Sequence, residues 1–123
     1  MHPRLTSVQH IEELETLLTQ SETRPLLLFK HSYSCGISAE ALDELVGHLD
    51  AAADTPKQLN SPLYAMVTVQ THRDVSNAVA ARLGVRHETP QALLVRDGQV
   101  VWAASHFRVT AAAVAAAIKA AAQ

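Results

Sequence analysis

With a single cysteine, Cys35, in 123 residues, the chain has no means of making an internal disulfide. That excludes a disulfide-stapled secreted scaffold and fits a reducing compartment. An excess of charge of one sign is also missing. Ten basic and twelve acidic residues leave a formal net charge of −2, and the basic residues are scattered, so no field gathers nucleic acid or anionic lipid. Aromatic residues make up only 4%. Trp102 and Tyr64 therefore read as core or edge packing, because no basic residues interleave with them to build stacking platforms. No apolar run approaches the roughly twenty residues that cross a bilayer. The opening segment MHPRLTSVQHIEELE has no apolar core of the signal-peptide kind. The expectation is one cytoplasmic domain, residues 1–123, with no nucleic-acid or membrane partner.

What is present is a hydrophobic content of 48%, normal for a globular core, arranged with alternating periods. Val8, Ile11, Leu14, Leu17 and Leu18 fall at helical spacing and predict a helix over about 8–20, capped by Thr6 or Ser7. Pro25 leads into an unbroken apolar strand, Leu26 to Lys30, of the kind covered on both faces by helices. A second helix follows to about Ala53, with Ala41, Leu45 and Leu49 on its apolar stripe and Glu40, Asp43, Glu44 and Asp50 on a solvated face. Asp54 to Pro62 reads as a loop and Leu63 to Val69 as a strand. Asp74 is the expected cap of a third helix that Gly84 ends in the left-handed conformation. Ala92 to Val95 and Gln99 to Ala103 form a hairpin around Asp97-Gly98. After a loop from Ala104 to Val109, Thr110 caps a last, alanine-rich helix.

The order α-βαβ-α-ββα predicts an α/β domain with a four-stranded mixed sheet and helices on both faces. That plan resembles the thioredoxin fold, although other small α/β layouts share it. Cys35 lies at the handover from the first strand to its helix. There the unpaired N–H groups of the first helical turn and the positive end of the helix dipole favour a thiolate, the form a nucleophilic cysteine needs. A buried, inert cysteine is the alternative. Thr89-Pro90 precedes the third strand, where thioredoxin-like proteins place a cis proline facing the cysteine. The Thr89 N–H and C=O would there pair with the backbone of a bound thiol compound. An ordinary trans proline opening a strand is the other reading.

The segments KHSYSCGIS (Lys30 to Ser38), VSNAVA (Val75 to Ala80), GVRHETPQ (Gly84 to Gln91), DGQVVW (Asp97 to Trp102) and ASHFRVT (Ala104 to Thr110) resemble, in order and spacing, the monothiol bacilliredoxin family of the YtxJ type. The resemblance implies a thioredoxin fold and a thiol-disulfide oxidoreductase. Such an enzyme removes bacillithiol from mixed disulfides on S-bacillithiolated proteins, with bacillithiol as cosubstrate and no bound cofactor. Cys35 would be the catalytic residue and Thr89 and Pro90 would face the ligand. The chain departs from the family at Gly36, where a proline is usual. Glycine is more flexible and supplies one more N–H. Two-cysteine relatives carry a resolving thiol where this chain has Ser38, a hydroxyl expected to donate to the first helical turn and, with Gly36, to line the site of the thiol ligand. Cys35 must therefore work alone, discharged by free bacillithiol or by a separate reductase.

Lys30 and His31 are the basic groups nearest in sequence, placed to favour the thiolate or the ligand's carboxylates. Alternation could equally turn Lys30 to solvent. His106, beside Phe107, is a candidate ligand contact or a structural anchor. His2, His10, His48 and His72 lack metal-ligand spacing, and His87 would ligate only if the fold brought partners to it, so no metal site is expected. Three further functions fit the same residues. They are a general glutaredoxin-like or peroxide-reactive thiol protein, a module holding an iron–sulfur cluster between two subunits, and an interaction domain with an inert cysteine.

Overall fold

Leu26, Leu27, Leu28 and Phe29 are almost completely buried, as an unbroken apolar run in the middle of a sheet must be. In the computed structural model, which describes residues 2–52 and 61–121, they belong to the central strand β2 (Leu26–His31). The other elements are β1 (Leu5–Ser7), α1 (Ile11–Gln20), α2 (Gly36–Ala52), β3 (Leu63–Thr68), α3 (Arg73–Leu83), β4 (Gln91–Arg96), β5 (Gln99–Ser105), a 3-10 turn at His106–Arg108 and α4 (Ala111–Ala121). Ala53, where the second helix was expected to end, and residues 54–60 of the expected loop lie outside the described residues.

The sheet has five strands in the order β1-β3-β2-β4-β5, which corrects the expected four. Leu5, Thr6 and Ser7 pair in parallel with Tyr64, Ala65 and Met66, so Thr6 and Ser7 are strand residues and do not cap α1. Three residues are too few to show a period of two, and they become a strand because the outer edge of β3 offers unpaired backbone groups. The first helix accordingly starts later, with Glu13 accepting the N–H groups of His10 at 2.9 Å and Gln9 at 3.0 Å. α3 starts two residues earlier than expected. His72 occupies the cap position, and Asp74 lies inside the first turn, where its charge still suits the helix dipole. β5 runs two residues further than expected because Ala104 and Ser105 continue the ladder against Ala92 and Gln91.

β2 and β3 are parallel, while β2–β4 and β4–β5 are antiparallel. Successive residues of β2 point to opposite faces, and two core clusters result. Leu27 and Phe29 pack with Leu94, Tyr64, Met66 and the buried faces of α2 (Ala41, Leu45, Leu49) and α4 (Val114, Ala117). Leu26 and Leu28 pack with Leu93, Val95, Ala65, Val67 and the inner faces of α1 (Leu14, Leu18) and α3 (Val75, Val79). The hairpin closes through Asp97 (φ 53°) and Gly98 (φ 71°), the two positive angles of a type I′ turn. Ser21, at the end of α1, pins that turn by accepting the Asp97 N–H on its carbonyl and the Gly98 N–H on its hydroxyl, both at 2.9 Å. Gly84 (φ 64°) ends α3 as expected, and the Thr110 hydroxyl accepts the Ala113 N–H at 3.1 Å to cap α4.

Candidate functional site

β2 ends at His31, and five residues later α2 begins. Between them the Cys35 N–H donates to the Ser32 carbonyl (3.4 Å), closing a tight turn, and the Cys35 carbonyl accepts the Ala39 N–H (3.1 Å), the first bond of the helix. Cys35 is therefore the residue that caps α2. The N–H groups of Gly36, Ile37 and Ser38 next to it have no acceptor within the helix. The thiol is free and partly exposed, not sealed in the core. A Cβ on Gly36 would meet nothing within 4 Å, and its φ is not in the left-handed range.

Ser38 holds this turn from below. Its hydroxyl is fully buried and accepts the Ser32 N–H at 2.9 Å, while lying 2.8 Å from Nδ1 of His31. The expected donation to the first helical turn is thus replaced by bonds back to the end of β2. Side chains on a helix lean toward its N-terminus, and here that direction leads to the strand. His31 stacks on Phe29 at 6.0 Å and is pushed below its ordinary pKa of 6.5 by burial. From the other side Gln70, just past the end of β3, donates to the hydroxyls of Ser32 (2.5 Å) and Ser34 (2.9 Å) and accepts the Tyr33 N–H (3.4 Å). Nothing in the sequence around Gln70 signals this role. It follows from the parallel pairing of His31 with Thr68.

The antiparallel register Lys30↔Gln91 sets Thr89 and Pro90 just beyond the ladder, at the end of β2 from which the Cys35 turn departs. The Thr89–Pro90 peptide bond is cis, and the Pro90 carbonyl accepts the His106 N–H at 3.0 Å. His106 (φ 56°) is thereby anchored by its backbone while its side chain is exposed. A groove of about 380 Å³ between α2 and the 106–108 turn is lined by Ile37, Glu40, His106 and Phe107, among others.

Lys30 and Ser38 were expected to meet the ligand, and burial corrects both. Each is closed to solvent at 0% exposure, so neither can be touched by a molecule from outside. Lys30 faces the α1/α3 side of the sheet with Leu26 and Leu28, away from α2, and its Nζ lies 2.8 Å from Nδ1 of His87. The His87 Nε2 is in turn 3.3 Å from the Thr89 hydroxyl. Sequence reasoning missed His87 because its partner stands 57 residues away. Among the described residues no group of three or more His, Cys, Asp or Glu side chains could hold a metal ion, and no helix is long and apolar enough to cross a membrane.

The family model of the monothiol bacilliredoxin BrxC matches residues 6–114. Among solved structures, a thioredoxin-fold protein assigned as an oxidoreductase is similar at 27% identity and a TM-score of 0.77, with 93% of each chain covered. A poplar thioredoxin h superposes with a TM-score of 0.71 at 14% identity, over 98% of this chain and 97% of that one. A thioredoxin of Fasciola hepatica does so with a TM-score of 0.68 at 13% identity, over 94% and 97%. The fold is that of thioredoxin.

Proposed function

Because the chain belongs to the monothiol bacilliredoxin family, we propose that it is a thiol-disulfide oxidoreductase that strips bacillithiol from protein mixed disulfides through Cys35. The observation that carries this reading is the position of Cys35, partly exposed at the cap of a 17-residue helix and at the same end of the sheet as Thr89–Pro90. The Cys35 thiolate attacks the bacillithiol sulfur of the modified protein. A new sulfur–sulfur bond forms to Cys35 as the old one breaks, and the electron pair leaves on the protein sulfur, which takes a proton. A second thiolate, from free bacillithiol or a separate reductase, then attacks the bacillithiol sulfur carried by Cys35 and regenerates the thiolate. No second cysteine exists to do this internally.

The backbone N–H and C=O of Thr89 hold the thiol compound in an extended conformation beside Pro90. The N–H of Gly36 faces the sulfur at the helix start, and His31 and the exposed His106 flank the site. Bacillithiol and S-bacillithiolated proteins are the partners, and the site of action is the cytoplasm.

Intact-mass analysis after incubation with bacillithiol disulfide tests the reading. The expected product is a single bacillithiol adduct on Cys35, absent from Cys35→Ser. Lack of an adduct on the wild-type chain sinks the proposal. Markedly faster adduct formation with glutathione disulfide assigns a general glutaredoxin-like role instead.

A further inference from the structure

The face of the sheet under α1 and α3 is lined by Leu26, Leu28, Ala65, Val67, Leu93 and Val95, and Lys30 enters it as a fully buried cation. Burying an ammonium is costly unless it is paired, yet among the described residues no carboxylate forms an ion pair with it. Its neighbour is an imidazole. An ammonium has three donors and no acceptor, so Nδ1 of His87, 2.8 Å away, must accept. The ring proton then sits on Nε2, the atom that lies 3.3 Å from the Thr89 hydroxyl. With Nε2–H donating to the Thr89 oxygen, the hydroxyl's own proton is left to point elsewhere.

We propose that Lys30 and His87 are positioning residues that set the Thr89 hydroxyl as a hydrogen-bond donor toward the small thiol bound beside Pro90. The inference rests on the proposed function and adds a specific recognition contact to it.

Three further features support the arrangement. Desolvation holds Lys30 down to about 8, from 10.5, so the ammonium persists at neutral pH. His87 is pushed below 6.5 by burial first and then by the charges of Lys30 and Arg73, so the ring stays neutral and its tautomer is meaningful. The loop that carries His87 is also fixed, because the buried Gln91 amide donates to the Arg86 carbonyl at 3.0 Å. A neutral side chain at position 30 would leave both His87 tautomers available and the Thr89 hydroxyl free to turn.

The test has two arms on the full chain. Imidazole nitrogen NMR of the wild type is expected to show His87 as the Nε2–H tautomer, and Lys30→Met to show a mixture. In turnover of a bacillithiolated protein, Thr89→Val and His87→Phe should each raise KM about fivefold, the worth of one neutral hydrogen bond, with kcat unchanged. The double variant should lose no more than either alone, and His87→Gln, which keeps an acceptor and a donor, should stay near wild type. An Nδ1–H tautomer in the wild type, or an unchanged KM in Thr89→Val and His87→Phe, overturns the relay. That result is separable from failure of the functional reading, in which the wild-type chain itself forms no Cys35 adduct.

Discussion

Ser38 shows how much a single hydroxyl can hold. It accepts the Ser32 N–H and meets His31 in a place with no access to water. Ser38→Ala leaves the buried Ser32 N–H without an acceptor, a loss of about 1–3 kcal/mol. Urea denaturation should show the midpoint falling by the corresponding amount with an unchanged slope. An unchanged midpoint means the turn finds another acceptor at no cost. At this scale the sequence was informative about residue type and silent about direction. Cys35 stood out by its place at the strand-to-helix handover, and Gly36 and Ser38 by the family resemblance, but for Lys30 the choice lay between the site and solvent, and the core was not foreseen. The core face won because β2 is covered on both sides, so every one of its side chains from Leu26 to Lys30 meets protein.

Among the elements, α2 matters most for the site because the residue that caps it carries the thiol. Gly36 is its first residue, the position where proline's fixed φ suits a helix and where a missing N–H breaks no intrahelical bond. Open space surrounds the missing Cβ. Gly36→Pro, which restores the residue usual in the family, should therefore stabilise the chain by about 0.4–1 kcal/mol by restricting the unfolded state. Thermal unfolding measures the gain, and a lower melting temperature would show that the Cys35 turn needs the glycine. The helices, β2 and the Asp97-Gly98 hairpin were legible because each carries its own period and its own stop signal. β1 was not, since Leu5–Ser7 acquires strand character only from its pairing with Tyr64–Met66. The buttress from Gln70 to Ser32 and Ser34 was equally invisible, since it joins the ends of two strands that the chain itself separates by a helix.

For the whole molecule, burial of ionisable groups sets how stability follows pH. Lys30 titrates at 10.5 in an open chain and at about 8 in the fold, so between those values the unfolded chain binds a proton that the folded one does not. Stability therefore rises as pH increases from about 8 toward 10. Above 10 Tyr64 opposes the trend. Burial, partly offset by the charge of Arg4, holds it up to about 12 from 10.0, so the folded chain keeps a proton there that the unfolded chain releases. On the acid side His31 and His48 are both lowered from 6.5 by burial, and stability falls as pH drops below 6.5. Urea midpoints measured from about pH 5 to pH 10 should rise up to about pH 6.5 and again above about 8. Lys30→Met should abolish only the alkaline rise, and persistence of that rise in the variant would show that another group causes it.

The sequence by itself determined the succession of elements, the apolar faces that bring them together and the place of the single cysteine between the central strand and its helix, because periodicity, capping and turn chemistry act over a few residues. The tertiary structure alone decided which side of the sheet Lys30 enters, that His87 reaches both Lys30 and Thr89, and that Ser38 bonds back to the strand. Those contacts depend on strand register and on the packing of helices across opposite faces. Register is fixed by the sum of many long-range pairings, which no local stretch of chain encodes.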